Sequence, residues 1–139
     1  MIQKTIISLL LMVLVSPIGI TTNDDTFTPK PKYMLLGKTS TIEQYKEVVI
    51  EEFGKDFIDT VNCESRFRHY NQDGSVFKSK PNKNGTRDWS WLQLNDVHRP
   101  IAKRLGITWE SMTPGEAVLI AKEIMAKQGK DAWVCHWKK

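Results

Sequence analysis

Cysteine is scarce in this sequence: Cys63 and Cys135 are the only two. Two thiols cannot make a zinc cluster alone, and neither His69 nor His136 stands at a familiar ligand spacing from them, so no metal site is expected. Long apolar runs are lacking as well. The longest, residues 6–15, holds ten residues, too few to span a bilayer comfortably. No internal repeat is visible, and no nucleic-acid-binding motif appears. A chain of 139 residues then makes one domain at most.

The apolar run follows Lys4 and precedes Ser16, Pro17 and Gly19, the layout of a secretory signal peptide over residues 1–20. Ile18 and Ile20 crowd the small-residue cleavage positions, so an uncleaved membrane anchor is the alternative. Either way export is expected, to a secreted, periplasmic or cell-envelope location. An oxidising compartment lets Cys63 pair with Cys135. Closing that loop of 72 residues is worth about 4 kcal/mol in the chain-entropy view.

Residues 21–39 are polar, carry two prolines and read as a linker or loose arm, leaving 40–139 as the domain. The net charge is a mild +4, yet residues 66–104 hold nine Lys/Arg against three Asp/Glu. Such a run is ordinarily a solvated face. The other reading is a basic rim around a site for an anionic polymer.

Most of the domain reads as helix, giving a mainly α (α+β) class. Ser40 and Glu43 form a capping box, after which Ile42, Tyr45, Val49 and Phe53 recur at helical spacing up to Gly54. A second helix buries Phe57, Ile58 and Val61 and runs into Cys63 and Glu64. Glu64 thus falls in a last turn, where the helix dipole disfavours a carboxylate. From Phe67 to Trp91 the helical period disappears. Asp73-Gly74 and Asn84-Gly85 are turn pairs, and Val76 and Phe77 are strand formers, so a small irregular β or loop region is expected. Helix resumes after Asn95, with Pro100 in its first turn and Gly106 as its C-cap. Thr113 and Glu116 form a second box ahead of Ala117, Ile120, Ala121 and Ile124, and Gly129 closes that helix. Trp133 is assigned to the core, Trp89 and Trp91 to core or cleft, and Trp109 and Trp137 to partly exposed positions.

Two stretches carry chemistry. In CESRFRHY, residues 63–70, Glu64 alone would be an ordinary surface charge. Twenty-four residues after it comes DWSWLQLN, residues 88–95: a carboxylate, two tryptophans and two side-chain amides. Sugar rings stack on aromatics and hydrogen-bond to amides. Cutting a glycosidic bond needs an acid and commonly a second carboxylate.

Glu64-Ser65-Arg66-Phe67 resembles the ESxF signature of the lysozyme-like superfamily, which includes soluble lytic transglycosylases. Residues 88–95 resemble its second signature, D-[aromatic]-G-x-[ML]-Q-[IL]-N, with Ser90 at the glycine and Trp91 where a smaller aliphatic is usual. Glycine there can take a positive φ, which serine resists. Residues 117–133 are similar to the family's closing helix, and the resemblance covers roughly residues 43–137. It implies a lysozyme-like helical domain with the β/loop region beside its cleft. Glu64 would be the general acid and later the base, its pKa raised by burial against Trp89 and Trp91. Ser65, Trp89, Trp91, Gln93 and Asn95 would serve the substrate, with Ser65 supporting either the glutamate or merely the helix end. Asp88 is a possible second carboxylate, or else a loop aspartate paired with Arg87 or Lys83. The implied partner is a peptidoglycan glycan strand, with no nucleic acid, metal or organic cofactor. The implied activity is that of a lytic transglycosylase, with a muramidase-type hydrolase or a non-catalytic wall-binding relative as alternatives.

Overall fold

A computed structural model describes residues 28–137 of the chain. They are mainly helical: α1 (Ile42–Phe53), α2 (Ile58–Ser65), α3 (Arg99–Arg104), α4 (Pro114–Gln128) and α5 (Val134–Trp137), linked by short 3-10 turns. One antiparallel pair of two-residue strands, β1 (Asp88–Trp89) and β2 (Leu94–Asn95), sets Asp88 opposite Asn95 and Trp89 opposite Leu94. The expected signal peptide over residues 1–20 lies outside the described residues, and so does the choice between leader and anchor. Among the described residues no helix is long and apolar enough to cross a membrane.

α1 starts one residue later than the sequence suggests. The Thr41 hydroxyl accepts from the Gln44 N–H at 3.3 Å, and the Gln44 side chain accepts from the Thr41 N–H at 2.8 Å. Two overlapping boxes, Ser40 with Glu43 and Thr41 with Gln44, compete for the same start. The preceding turn decides between them, because the Ser40 hydroxyl is taken up by the Gly37 N–H at 2.9 Å. α1 buries Tyr45, Val48, Val49 and Phe53 and stops at Gly54, whose φ of 97° a side chain would resist.

α4 follows its expected box, with Pro114 at its first position, and turns Ala117, Val118, Ile120, Ala121 and Ile124 into the core. At its start Gly115 admits the arm: a Cβ there would stand 2.5 Å from the Tyr33 carbonyl oxygen. Leu36 is buried and Tyr33 packs against the core, so the packed chain begins before residue 40. The end of the expected loose arm is therefore part of the domain. α3 ends at Arg104, and Leu105 rather than the expected Gly106 is its C-cap; the Gly106 N–H bonds to the Lys103 carbonyl while the Ile107 N–H reaches Ala102.

The loop region is locked onto this frame by Trp91. Its ring is fully buried, meets Tyr45 of α1 edge-on at 4.7 Å, and donates Nε1–H to the Pro114 carbonyl at 3.1 Å. Trp133 reaches the same region, donating to the Leu92 carbonyl at 2.6 Å. Trp109, expected to be partly exposed, is buried, because its 3-10 turn tucks the ring beneath the Arg99 guanidinium. The side chain of Trp137 lies outside the described residues.

Candidate functional site

α2 carries Glu64 and Ser65 to its last turn and then breaks, because Arg66 and Phe67 both take left-handed backbone, φ 54° and 61°. Glu64 is half-buried there, and one of its carboxylate oxygens accepts from the Cys135 N–H at 2.8 Å. Cys63 and Cys135 are joined as a disulfide, which fastens α5 to α2 right beside that carboxylate. The Ser65 hydroxyl points the other way, donating to the Trp91 carbonyl. It therefore ties the first stretch to the second rather than facing a ligand.

The second stretch is a hairpin whose turn is also left-handed, with Ser90 at φ 65° and Gln93 at φ 49°. Ser90 takes the backbone conformation that suits glycine. Its hydroxyl accepts from the Leu92 N–H at 3.2 Å, and its N–H donates to the Phe77 carbonyl at 2.8 Å. The Gln93 side chain donates back to the Ser90 carbonyl at 2.9 Å. Left-handed backbone disfavours a residue with a Cβ by about 1–2 kcal/mol. Among the described residues the non-glycine positions with positive φ are Arg66, Phe67, Ser90 and Gln93. All of them belong to the two stretches, so local strain is concentrated where chemistry was expected.

These stretches meet at a recess of about 580 Å³. Glu64, Asp88, Gln93 and Asn95 all line it. Its apolar lining comes from Leu94, Ile124, Trp133 and Val134, while Asn82, Lys83, Asn84 and Thr86 form a polar wall. Trp89 and Trp91 do not contribute, although both were candidates for substrate contact and for desolvating Glu64. Trp91 is sealed in the core. Trp89 is buried too, its Nε1–H on Asp96 at 2.9 Å and its ring flanked by Lys78 and Arg99. Which tryptophan faces the recess depends on the hairpin's pleat and on α5, and neither is legible in the local pattern.

Asp88 is held by amides. Oδ1 accepts from Asn95 Nδ2 at 2.8 Å and Oδ2 from Asn82 Nδ2 at 3.2 Å. Arg87 bonds to the Ser79 carbonyl at 2.8 Å instead of to its neighbour. Asn95 uses its amide group on Asp88 and Thr86, and its oxygen caps the next turn at Val97, so it positions Asp88 as well as lining the recess. Asp96 is a structural hub that no pattern in the sequence marks. Burial works against its ionisation most strongly, yet hydrogen bonds from the Arg87 N–H, Arg99 and Trp89 hold its carboxyl below the usual range. Val97, His98 and Val134 also line the recess without having been anticipated. Val134 could have been found through its neighbour Cys135, once that residue is tied to Cys63. Among the described residues no three His, Cys, Asp or Glu side chains gather as metal ligands.

One half-buried carboxylate, a second carboxylate fixed by two amides, further amides and an apolar side together suit a neutral polyhydroxylated ligand. No protein-family model matches this chain, and no curated protein or solved structure matches it either.

Proposed function

We propose that this chain is an exported lysozyme-like domain that cuts the β-1,4 bond between N-acetylmuramic acid and N-acetylglucosamine in peptidoglycan, acting as a lytic transglycosylase. The observation that carries this reading is the convergence of Glu64, Asp88, Gln93 and Asn95, from both signature-like stretches, on one recess. The backbone strain flanking those residues supports it.

In this reading Glu64 protonates the glycosidic oxygen as the bond to the muramyl C1 breaks. The Cys135 N–H bonds to one oxygen of that carboxylate and holds it in the recess. The substrate's own N-acetyl oxygen meets the developing oxocarbenium charge. Glu64, now ionised, takes the proton of the muramyl 6-hydroxyl as that oxygen closes on C1, leaving a 1,6-anhydro end. Gln93 and Asn95 orient the sugar, and Leu94, Ile124 and Trp133 offer it an apolar face. Asp88 is not needed for any step.

The second reading, a muramidase-type hydrolase, is favoured by Asp88 itself, a carboxylate fixed in the same recess as Glu64. Mass spectrometry of the muropeptides released from purified sacculi separates the two. Anhydro-muramyl ends, with Asp88→Asn still active, are expected. Reducing N-acetylmuramic acid ends, with Asp88→Asn inactive, would replace the transglycosylase by the hydrolase. Binding to sacculi without any cleavage would leave a wall-binding relative.

A further inference from the structure

Glu64 also borders a second recess, of about 400 Å³, whose lining includes two cations, Arg66 and Arg68, and the Phe77 ring. Both arginines are exposed, and among the described residues neither has a carboxylate partner. Elsewhere in the basic stretch the arginines are committed. Arg99 bonds to Asp96 and Glu110, Arg104 to Glu123 at 3.0 Å, and Arg87 to the Ser79 carbonyl.

Arg68 is also ordered in advance. Its guanidinium lies 3.6 Å from the centroid of the Phe77 ring. Phe77 is itself anchored, its N–H on the His69 carbonyl at 2.7 Å and its carbonyl accepting the Ser90 N–H at 2.8 Å. The platform beneath Arg68 thus belongs to the same hydrogen-bonded framework as the hairpin. A stacked guanidinium keeps its fork of donors in a fixed plane and loses little freedom on binding a planar carboxylate. Besides Glu64 itself, Asp73 shares a hollow with Arg68. Its carboxylate already accepts from the Ser75 N–H at 2.9 Å and the Ser75 hydroxyl at 2.6 Å.

We infer that Arg66 and Arg68, with Phe77 beneath, form a subsite for a carboxylate carried by the glycan immediately beside the bond that Glu64 protonates. This rests on the glycan-cleaving reading and adds to it a requirement for substrate charge. Two carboxylates have that chemistry: the lactyl group of a muramic acid freed of its peptide, and a carboxylate of an attached stem peptide.

The test measures binding calorimetrically in the full chain bearing Glu64→Gln, so that ligands survive. The ligands are peptide-bearing glycan strands, peptide-free strands with open lactyl carboxylates, and uncharged β-1,4-linked N-acetylglucosamine oligomers. On carboxylate-bearing strands Arg68→Gln and Arg66→Gln should each weaken binding ~10-fold, the scale of one charge-assisted hydrogen bond. Arg68→Lys should fall between, and the uncharged oligomers should bind all variants alike. Whether the arginine effect follows the peptide-free or the peptide-bearing strands identifies the source of the carboxylate. Equal affinity for charged and uncharged ligands, or arginine variants that bind as their parent does, would overturn the subsite while leaving the glycan reading intact. A folded protein that binds none of the three ligands would overturn both.

Discussion

α4 and the β1–β2 hairpin each bury a row of large side chains, but they are stabilised over different distances along the chain. α4 has its own start signal in Thr113 and Glu116, its own stop at Gly129, and an apolar face at helical spacing. Each of those contacts joins residues within one or two turns of each other. The hairpin pairs only two residues per strand and passes through left-handed backbone at Ser90 and Gln93. What holds it is distant: the Trp91 indole on Pro114, the Ser65 hydroxyl on the Trp91 carbonyl, and the Trp133 indole on the Leu92 carbonyl. The short ladder sets Asp88 opposite Asn95, and the left-handed, remotely braced turn adds Gln93 to the same recess. The frame supplies the stability that such a segment lacks.

This contrast can be broken first at Glu64, where frame and hairpin meet. Glu64→Gln should reduce sacculus cleavage ~10²–10⁴-fold with an unchanged melting temperature, because the amide oxygen can still accept the Cys135 N–H. A loss below tenfold in a turbidity assay would remove Glu64 from the acid role. Trp91→Ala strikes the brace itself and should lower stability by ~3–5 kcal/mol in urea titration. A small effect would mean that the hairpin stands without Tyr45 and Pro114. Replacing Cys63 and Cys135 together by serine releases α5 and a 72-residue loop, with an expected loss of ~4 kcal/mol or less. Thiol titration of the native protein should find neither cysteine free.

His69 sharpens the comparison through pH. It is buried beneath the loop, with Nε2–H donating to the Met112 carbonyl at 2.8 Å. Burial lowers its pKa from 6.5 to about 4, against the smaller opposing pull of that hydrogen bond. The unfolded chain therefore takes up this proton first, so stability should fall as pH drops from 6.5 toward 4, by roughly 3 kcal/mol in all. His69→Gln should flatten that part of the profile of urea midpoint against pH. The smallest effect belongs to the frame. Thr41→Ala should cost ~1 kcal/mol and Ser40→Ala less, since only Thr41 caps α1. The reverse order would return the helix start to Ser40.

Residue type alone is a weak hint. Glu64, Asp88, Gln93 and Asn95 are legible in the sequence as one group only through the resemblance of their two stretches to a pair of lysozyme-like signatures, which implies a shared cleft. The tryptophans are not. Trp89, Trp91 and Trp109 have similar local surroundings in sequence, and burial of an indole is decided by what packs on it from far away. Asp88 illustrates the same limit: its adjacent cation Arg87 looks like its partner, yet Asn82 and Asn95 hold it.

By itself the sequence determined the elements whose energetics are local: the Thr113 cap, the glycine stops at Gly54 and Gly129, the apolar face of α4 and the mainly helical class. These depend on hydrogen bonds and burial within a few residues, so a short window contains their cause. Only the tertiary structure decided which of two overlapping boxes starts α1, that Tyr33 and Leu36 join the core, and that Trp133 rather than Trp89 or Trp91 lines the recess. It also decided that the Cys135 N–H holds Glu64 and that the Arg68 guanidinium sits over the Phe77 ring. Each of those outcomes joins groups from separate segments of the chain, and side chains find such partners only when the chain has folded.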